Sequence, residues 1–175
     1  MRGAAGRWLA GRRVGGALSD PVLLRHLLWI AVASGLPLQL HAGLGEPGLR
    51  IDRTDPVLLT DFVRATAGLG TDLVLLHGYP YHRHAAHSRG WSFPHVYADL
   101  RRRPRPAPAP APRPVLAEIL ELAPFGKILF SSGAHGLPEL HVVGARLFRE
   151  ALGRVLGNWV AKGPGRWRTR SGSRD

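Results

Sequence analysis

The hexapeptide Asp72 to His77 (DLVLLH) places the tightest constraint on what this chain can fold into. Four successive large apolar residues with no polar alternation leave no face for water, so a strand here must be covered on both sides. Strands of that kind belong to parallel sheets wrapped by helices. The flanking sequence supplies the helices. Asp20-Pro21 has the pattern of a cap followed by a first helical residue, and Leu23, Leu24, Leu27, Leu28 and Ala31 form an apolar face that ends at Gly35. Leu36 to His41 reads as a strand, and Asp55-Pro56 opens a second helix through Ala67, closed by Gly68 and Gly70. His95 to Asp99 is a third strand, Pro114 to Leu122 a helix, Lys127 to Ser132 a fourth strand and Pro138 to Val160 a long helix. This alternation predicts an α/β fold with a parallel sheet.

Charge adds a second constraint once it is located. The chain has 175 residues and a formal charge of +12, a balance that invites a phosphate-binding reading. Yet residues 26–99 and 114–148 each carry a net charge of −1, while 1–25, 100–113 and 149–175 carry +4, +5 and +5. The excess therefore lies outside the stretches with strand and helix patterns. Residues 101–114 (RRRPRPAPAPAPRP) place proline at nearly every second position, which forbids helix or central strand, and 161–175 lack hydrophobic periodicity. The predicted organisation is a basic segment 1–18, a folded domain 19–160 interrupted by low-complexity residues 101–114, and a disordered basic tail 161–175. No aromatic platform accompanies the arginines, so no specific nucleic-acid partner is expected. Gly35 and Pro37 break the apolar run after His26, which argues against a membrane span and for a cytoplasmic protein. The absence of cysteine excludes disulfides, a thiol nucleophile and Cys-ligated zinc.

In parallel α/β folds ligands bind at the carboxyl ends of the strands. Three of the four strands end in His41, His77, and Ser131-Ser132 leading to His135. Two histidines closing successive strands can converge on one divalent metal, with further ligands from elsewhere; nine histidines in the chain also place some at strand ends by chance. The cluster His82, His84 and His87 has the spacing of a solvated loop or helix start.

Four runs, LPLQLHAGLGEPGLRIDRTDPVLLTDF, VLLHGYPYHRHAA, FPHVYADL and LELAPFGKILFSSGAHGLPELHVVGARLFREALGRVLGNWV, resemble in order the second half of an amidohydrolase-related metal-dependent hydrolase. The nearest branch is the one associated with glutamine-synthetase-like proteins. The resemblance implies a (β/α)8 TIM barrel, of which residues 19–100 and 114–160 would form roughly the last four β/α units. It implies that His41 and His77 are metal positions, that the cofactor is a divalent metal (zinc first, manganese or iron as alternatives), and that a small-molecule substrate undergoes hydrolysis at a C–N or similar bond.

Two departures bear on activity. The family's last strand reads SSDA, whereas here Ser131-Ser132 is followed by Gly133-Ala134, so glycine stands where the catalytic aspartate would be. No HxH pair precedes Leu36 either. The expectation is therefore a truncated, impaired hydrolase, with a binding-only or inactive half-barrel as the alternative and a basic nucleic-acid binder using Arg101 to Arg105 and the tail ranked behind both. Residues 101–114 and 161–175 also depart from the family pattern and read as out-of-frame or decayed stretches. A half-barrel would self-associate or pair with a complementing half, because its sheet has two open edges.

Overall fold

A computed structural model of the chain describes residues 2–11, 18–43, 50–78, 80–84, 93–100, 113–134 and 136–163. The two aspartate caps behave as their sequence dictates. Asp20 Oδ1 accepts from the backbone N–H groups of Val22 and Leu23 at 2.9 and 3.2 Å, opening helix α2 (Pro21–Ala33). Asp55 Oδ1 accepts from Val57 N–H at 3.0 Å, but what it opens is a 3₁₀ turn (Pro56–Leu59) that runs into α3 (Thr60–Thr66). The tightening satisfies the first turn with i→i+3 bonds, as short helix starts often do.

Strands β1 (Leu38–Ala42), β2 (Leu73–His77), β3 (Val96–Asp99) and β4 (Ile128–Leu129) form one parallel sheet in the order β1-β2-β3-β4. The expected strand over Lys127 to Ser132 contracts to two residues. Lys127 belongs to a 3₁₀ turn (Phe125–Lys127), and Phe130 onward leaves the ladder to meet the long helix that follows. Each strand neighbours the next in sequence, so the sheet has no point of order reversal, unlike a doubly wound fold. Helix α4 (Arg113–Leu122) connects β3 to β4, and α5 (Glu139–Ala161) closes the chain's described part.

The core follows from the apolar run that opened the argument. Leu73 and Leu75 are fully buried in the middle of the sheet, packed with Ala42, Val63 and Val96, and covered by Leu59, Phe62 and Phe93. A second cluster joins Leu116 and Leu120 of α4 to Val155 of α5, with Phe148 and Trp159 around it. Thr71 ties helix to strand: its buried hydroxyl donates to the Val32 carbonyl at 2.6 Å, linking the end of α2 to the approach of β2. Replacing Thr71 by valine keeps the shape and removes this bond, while the carbonyl still accepts from Gly35 N–H at 3.1 Å. The expected cost is about 1 kcal/mol, read as a lower denaturation midpoint with unchanged slope.

One expectation fails at the N-terminus. Residues 2–11, expected to be among those least like folded protein, form helix α1 (Arg2–Gly11) that packs on α2 with Ala4 buried. Ala4, Ala5, Leu9 and Ala10 are good helix formers, and local propensity outweighs the charge of the two arginines. Residues 101–112 and 164–175, which hold most of the other two basic runs, lie outside the described residues, as do His87 and His135. Among the described residues no helix is long and apolar enough to cross a membrane.

Candidate metal centre

Because all four strands run parallel, their carboxyl ends lie along one edge of the sheet. His41 is the penultimate residue of β1 and His77 the last of β2, with Ala42 in register with His77. Adjacent strands stand about 4.8 Å apart, near enough for the two rings to meet. His77 Nε2 lies 3.0 Å from His41 Nδ1, and the ring centroids are 4.8 Å apart.

The backbone accommodates this meeting at a cost. His77 has φ +73°, the one non-glycine residue in the left-handed region among the described residues. It occupies the centre of a three-residue turn in which Gly78 N–H donates to the Leu76 carbonyl at 3.0 Å, and also to Ala42 at 2.9 Å across the strands. A non-glycine residue held in this region stores roughly 1–3 kcal/mol of strain, and such strain collects where function over-determines geometry. Gly78 itself has φ +61° and is suited to continue the turn.

Two nitrogens on one tetrahedral zinc, each about 2.0–2.1 Å away, stand about 3.3 Å apart. The 3.0 Å separation is that of an imidazole–imidazole hydrogen bond and lies about 0.3 Å short of the zinc-bridged spacing, so a small movement of the rings would let both face one ion. Among the described residues no third histidine, aspartate or glutamate completes the group.

The other strand ends carry polar groups as well. Asp99, the last residue of β3, is buried and accepts from Ser131 Oγ at 2.8 Å through Oδ2. Sequence reasoning passed over Asp99 as a strand boundary, although a single carboxylate closing an apolar strand was a legible signal. Ser132 Oγ lies 2.9 Å from His141 Nδ1, in the first turn of α5. Gly133, where the resemblance expected an aspartate, has φ +60°.

The histidines after β2 are more anchored than a solvated loop requires. Residues 82–84 are helical, His82 Nε2 contacts Glu118 Oε2 at 2.7 Å with its side chain 15% exposed, and His84 Nδ1 contacts Asp55 at 2.9 Å. Tyr81 Oη donates to the Ile51 carbonyl at 3.0 Å. The segment leaving His77 is therefore clamped on two sides. Hydrogen bonding from His82, reinforced by Arg83 and opposed by partial desolvation, holds the Glu118 carboxyl below the usual glutamate range. A depressed carboxylate stabilises the fold above its unfolded pKa, and that contribution disappears as pH falls through the folded value. Glu118→Gln should therefore lower the denaturation midpoint at neutral pH, and the gap from the parent chain should close on acidification below about pH 4.

Comparison with known proteins places these elements. A family model described as Amidohydrolase matches residues 3–154. Protein fluG of Emericella nidulans is 34% identical over 128 residues, which cover 73% of this chain and 14% of that protein. A crystal structure from Lactobacillus casei ATCC 334, described as a metal-dependent hydrolase, superposes with a TM-score of 0.64 at 33% identity, over 77% of this chain and 36% of the other. The chain thus spans well under half the length of each of these two relatives.

Proposed function

The chain belongs to the amidohydrolase family, and from that premise we propose that it is a metal-dependent hydrolase domain in which His41 and His77 hold a divalent cation. Zinc, for which imidazole is a usual ligand, is the first expectation, with manganese or iron as the family-based alternatives. The observation that carries the reading is the convergence of the two ring nitrogens to 3.0 Å at adjacent strand ends, with His77 held at positive φ to achieve it. The similarity to the Lactobacillus casei hydrolase supports it. On this reading the four parallel strands are one half of a (β/α)8 barrel.

A bound divalent ion would supply Lewis acidity, making water a better nucleophile and an amide carbonyl a better electrophile. The chain's own residues then have separable roles. The turn at His77 and Gly78 fixes ring orientation, and the clamp through His82, His84 and Tyr81 restrains the segment that leaves it. Proton transfer to the leaving amine is the weak point. Gly133 bears no side chain to accept or deliver a proton, so hydrolysis of C–N bonds is impaired relative to a chain with a carboxylate there.

Restoring the carboxylate tests this reading. Gly133→Asp should raise zinc-dependent hydrolysis of simple p-nitroanilide amides by about 100-fold or more over the parent chain. The variant loses about 1 kcal/mol of stability, because aspartate tolerates φ +60° less well than glycine. A zinc-loaded, folded variant with no gain would favour the second reading, a binding-only domain that keeps the pair without hydrolysing, for which Gly133 is the specific support.

The same proposal covers partners and place. The substrate is a small molecule, and the protein is cytoplasmic. A complementing half-barrel or a second copy pairs with the open edges of β1 and β4. Leu27 and Ile30 on α2 and Val142 and Val160 on α5 are large apolar residues with half or more of their surface exposed, as expected of faces that another element covers.

A further inference from the structure

Ser132 and His141 meet on the same edge of the sheet as the histidine pair but take no part in it. Ser132 is the third residue after β4 and His141 is the third residue of α5, so the end of the strand and the first turn of the helix bring a hydroxyl onto an imidazole. The Ser132 Oγ to His141 Nδ1 distance is 2.9 Å, within range for direct proton transfer. With the neutral ring protonated on Nε2, Nδ1 accepts from the hydroxyl.

Four further features build the pair. Ala134 N–H donates to Ser132 Oγ at 3.2 Å, a contact that strengthens as charge grows on that oxygen. Gly144 lets α5 lie against the serine: a Cβ there would stand 3.0 Å from Ser132 Cβ and 3.6 Å from the tip of the Phe130 ring. Phe130 stacks on Phe148 at 4.5 Å, an apolar surface beside the hydroxyl. The pair also lies at the amino end of a 23-residue helix, where partial positive charge favours a developing anion.

We propose that Ser132 is a nucleophile and His141 its base, forming a metal-independent esterase site for carboxylic esters with small acyl groups. Ser132 Oγ bonds to the ester carbonyl carbon while its proton passes to His141 Nδ1. The bond from that carbon to the alcohol oxygen breaks, and the leaving alkoxide takes the proton from His141. Water then repeats the sequence on the acyl-serine, releasing the carboxylic acid and restoring both side chains. The site is independent of metal bound at His41 and His77.

The test is labelling of the full chain with a fluorophosphonate probe, followed by mass-spectrometric mapping of the adduct, with p-nitrophenyl acetate turnover as the second readout. The expected results are a single adduct on Ser132, background labelling of Ser132→Ala, at least tenfold slower labelling of His141→Gln, and rates unchanged by EDTA. An unlabelled parent chain, an adduct on another residue, or loss of labelling on chelation would overturn the proposal. Mapping on the parent chain keeps the test decisive if a variant fails to fold. Gly144→Ala, which pushes helix and serine apart, should slow labelling as His141→Gln does; labelling at the parent rate would contradict the built geometry.

Discussion

Replacing His77 by glycine is expected to abolish metal binding and to leave the fold more stable than the alanine variant does. Loss of one of two imidazoles should weaken zinc affinity by about 100-fold or more, since even the outer partners of metal ligands are worth 10–100-fold. The stability effect has a separate origin. At φ +73° alanine keeps the backbone strain and loses the ring, whereas glycine releases the strain. Allowing for glycine's greater freedom when unfolded, His77→Gly should exceed His77→Ala by about 1 kcal/mol in denaturant unfolding. His41 lies in regular strand geometry, and no such difference between Gly and Ala in that direction is expected there. Equal stability of the two His77 variants would mean that the turn is not strained.

The largest stability effect is expected at Leu75. Its side chain is fully buried on the second strand, which is paired on both sides, with Leu40 and Ala98 as its register partners. Leu75→Ala leaves a cavity lined by the main core cluster and should cost about 3 kcal/mol, within the usual 2–5. Domains of ordinary stability have only about 5–15 kcal/mol in hand, so the midpoint shift will be large. Leu69, which is 53% exposed, serves as the control: its alanine variant should stay within about 0.5 kcal/mol of the parent chain.

Both predictions rest on residues that were legible in the sequence. The apolar run DLVLLH read as a strand covered on both faces, and Leu73, Val74 and Leu75 are buried; the alternation around it pointed to parallel strands, as the register confirms. Caps at Asp20 and Asp55 were readable because the chemistry is local, one carboxylate and the N–H groups two or three residues on. The extent of β4 was not, because Phe130 continues the apolar run KILF yet is drawn, with Ser131 and Ser132, toward the long helix that follows. Helix α1 was not legible, because Arg2 and Arg7 and three glycines mask the helix-forming alanines and Leu9.

At the candidate centre, His41 and His77 were named from their strand-end positions, and the fold brings their nitrogens together. The strain at His77 was invisible, since a histidine in a strand gives no sign that it will end the strand in a left-handed turn. Asp99 with Ser131, Glu118 with His82, and Ser132 with His141 join residues 32, 36 and 9 positions apart. The first two arise from the crossovers between strands, which no local pattern encodes. The third is short enough to span a turn, yet it depends on Gly144, three residues beyond the histidine, letting the helix approach.

The most direct test of the central claim is a zinc titration of the metal-stripped full chain at neutral pH, with bound metal counted after dialysis. The account predicts one zinc per chain, with binding lost in both His41→Ala and His77→Ala while each variant remains folded. Absence of stoichiometric binding, or binding that survives both substitutions, would contradict it.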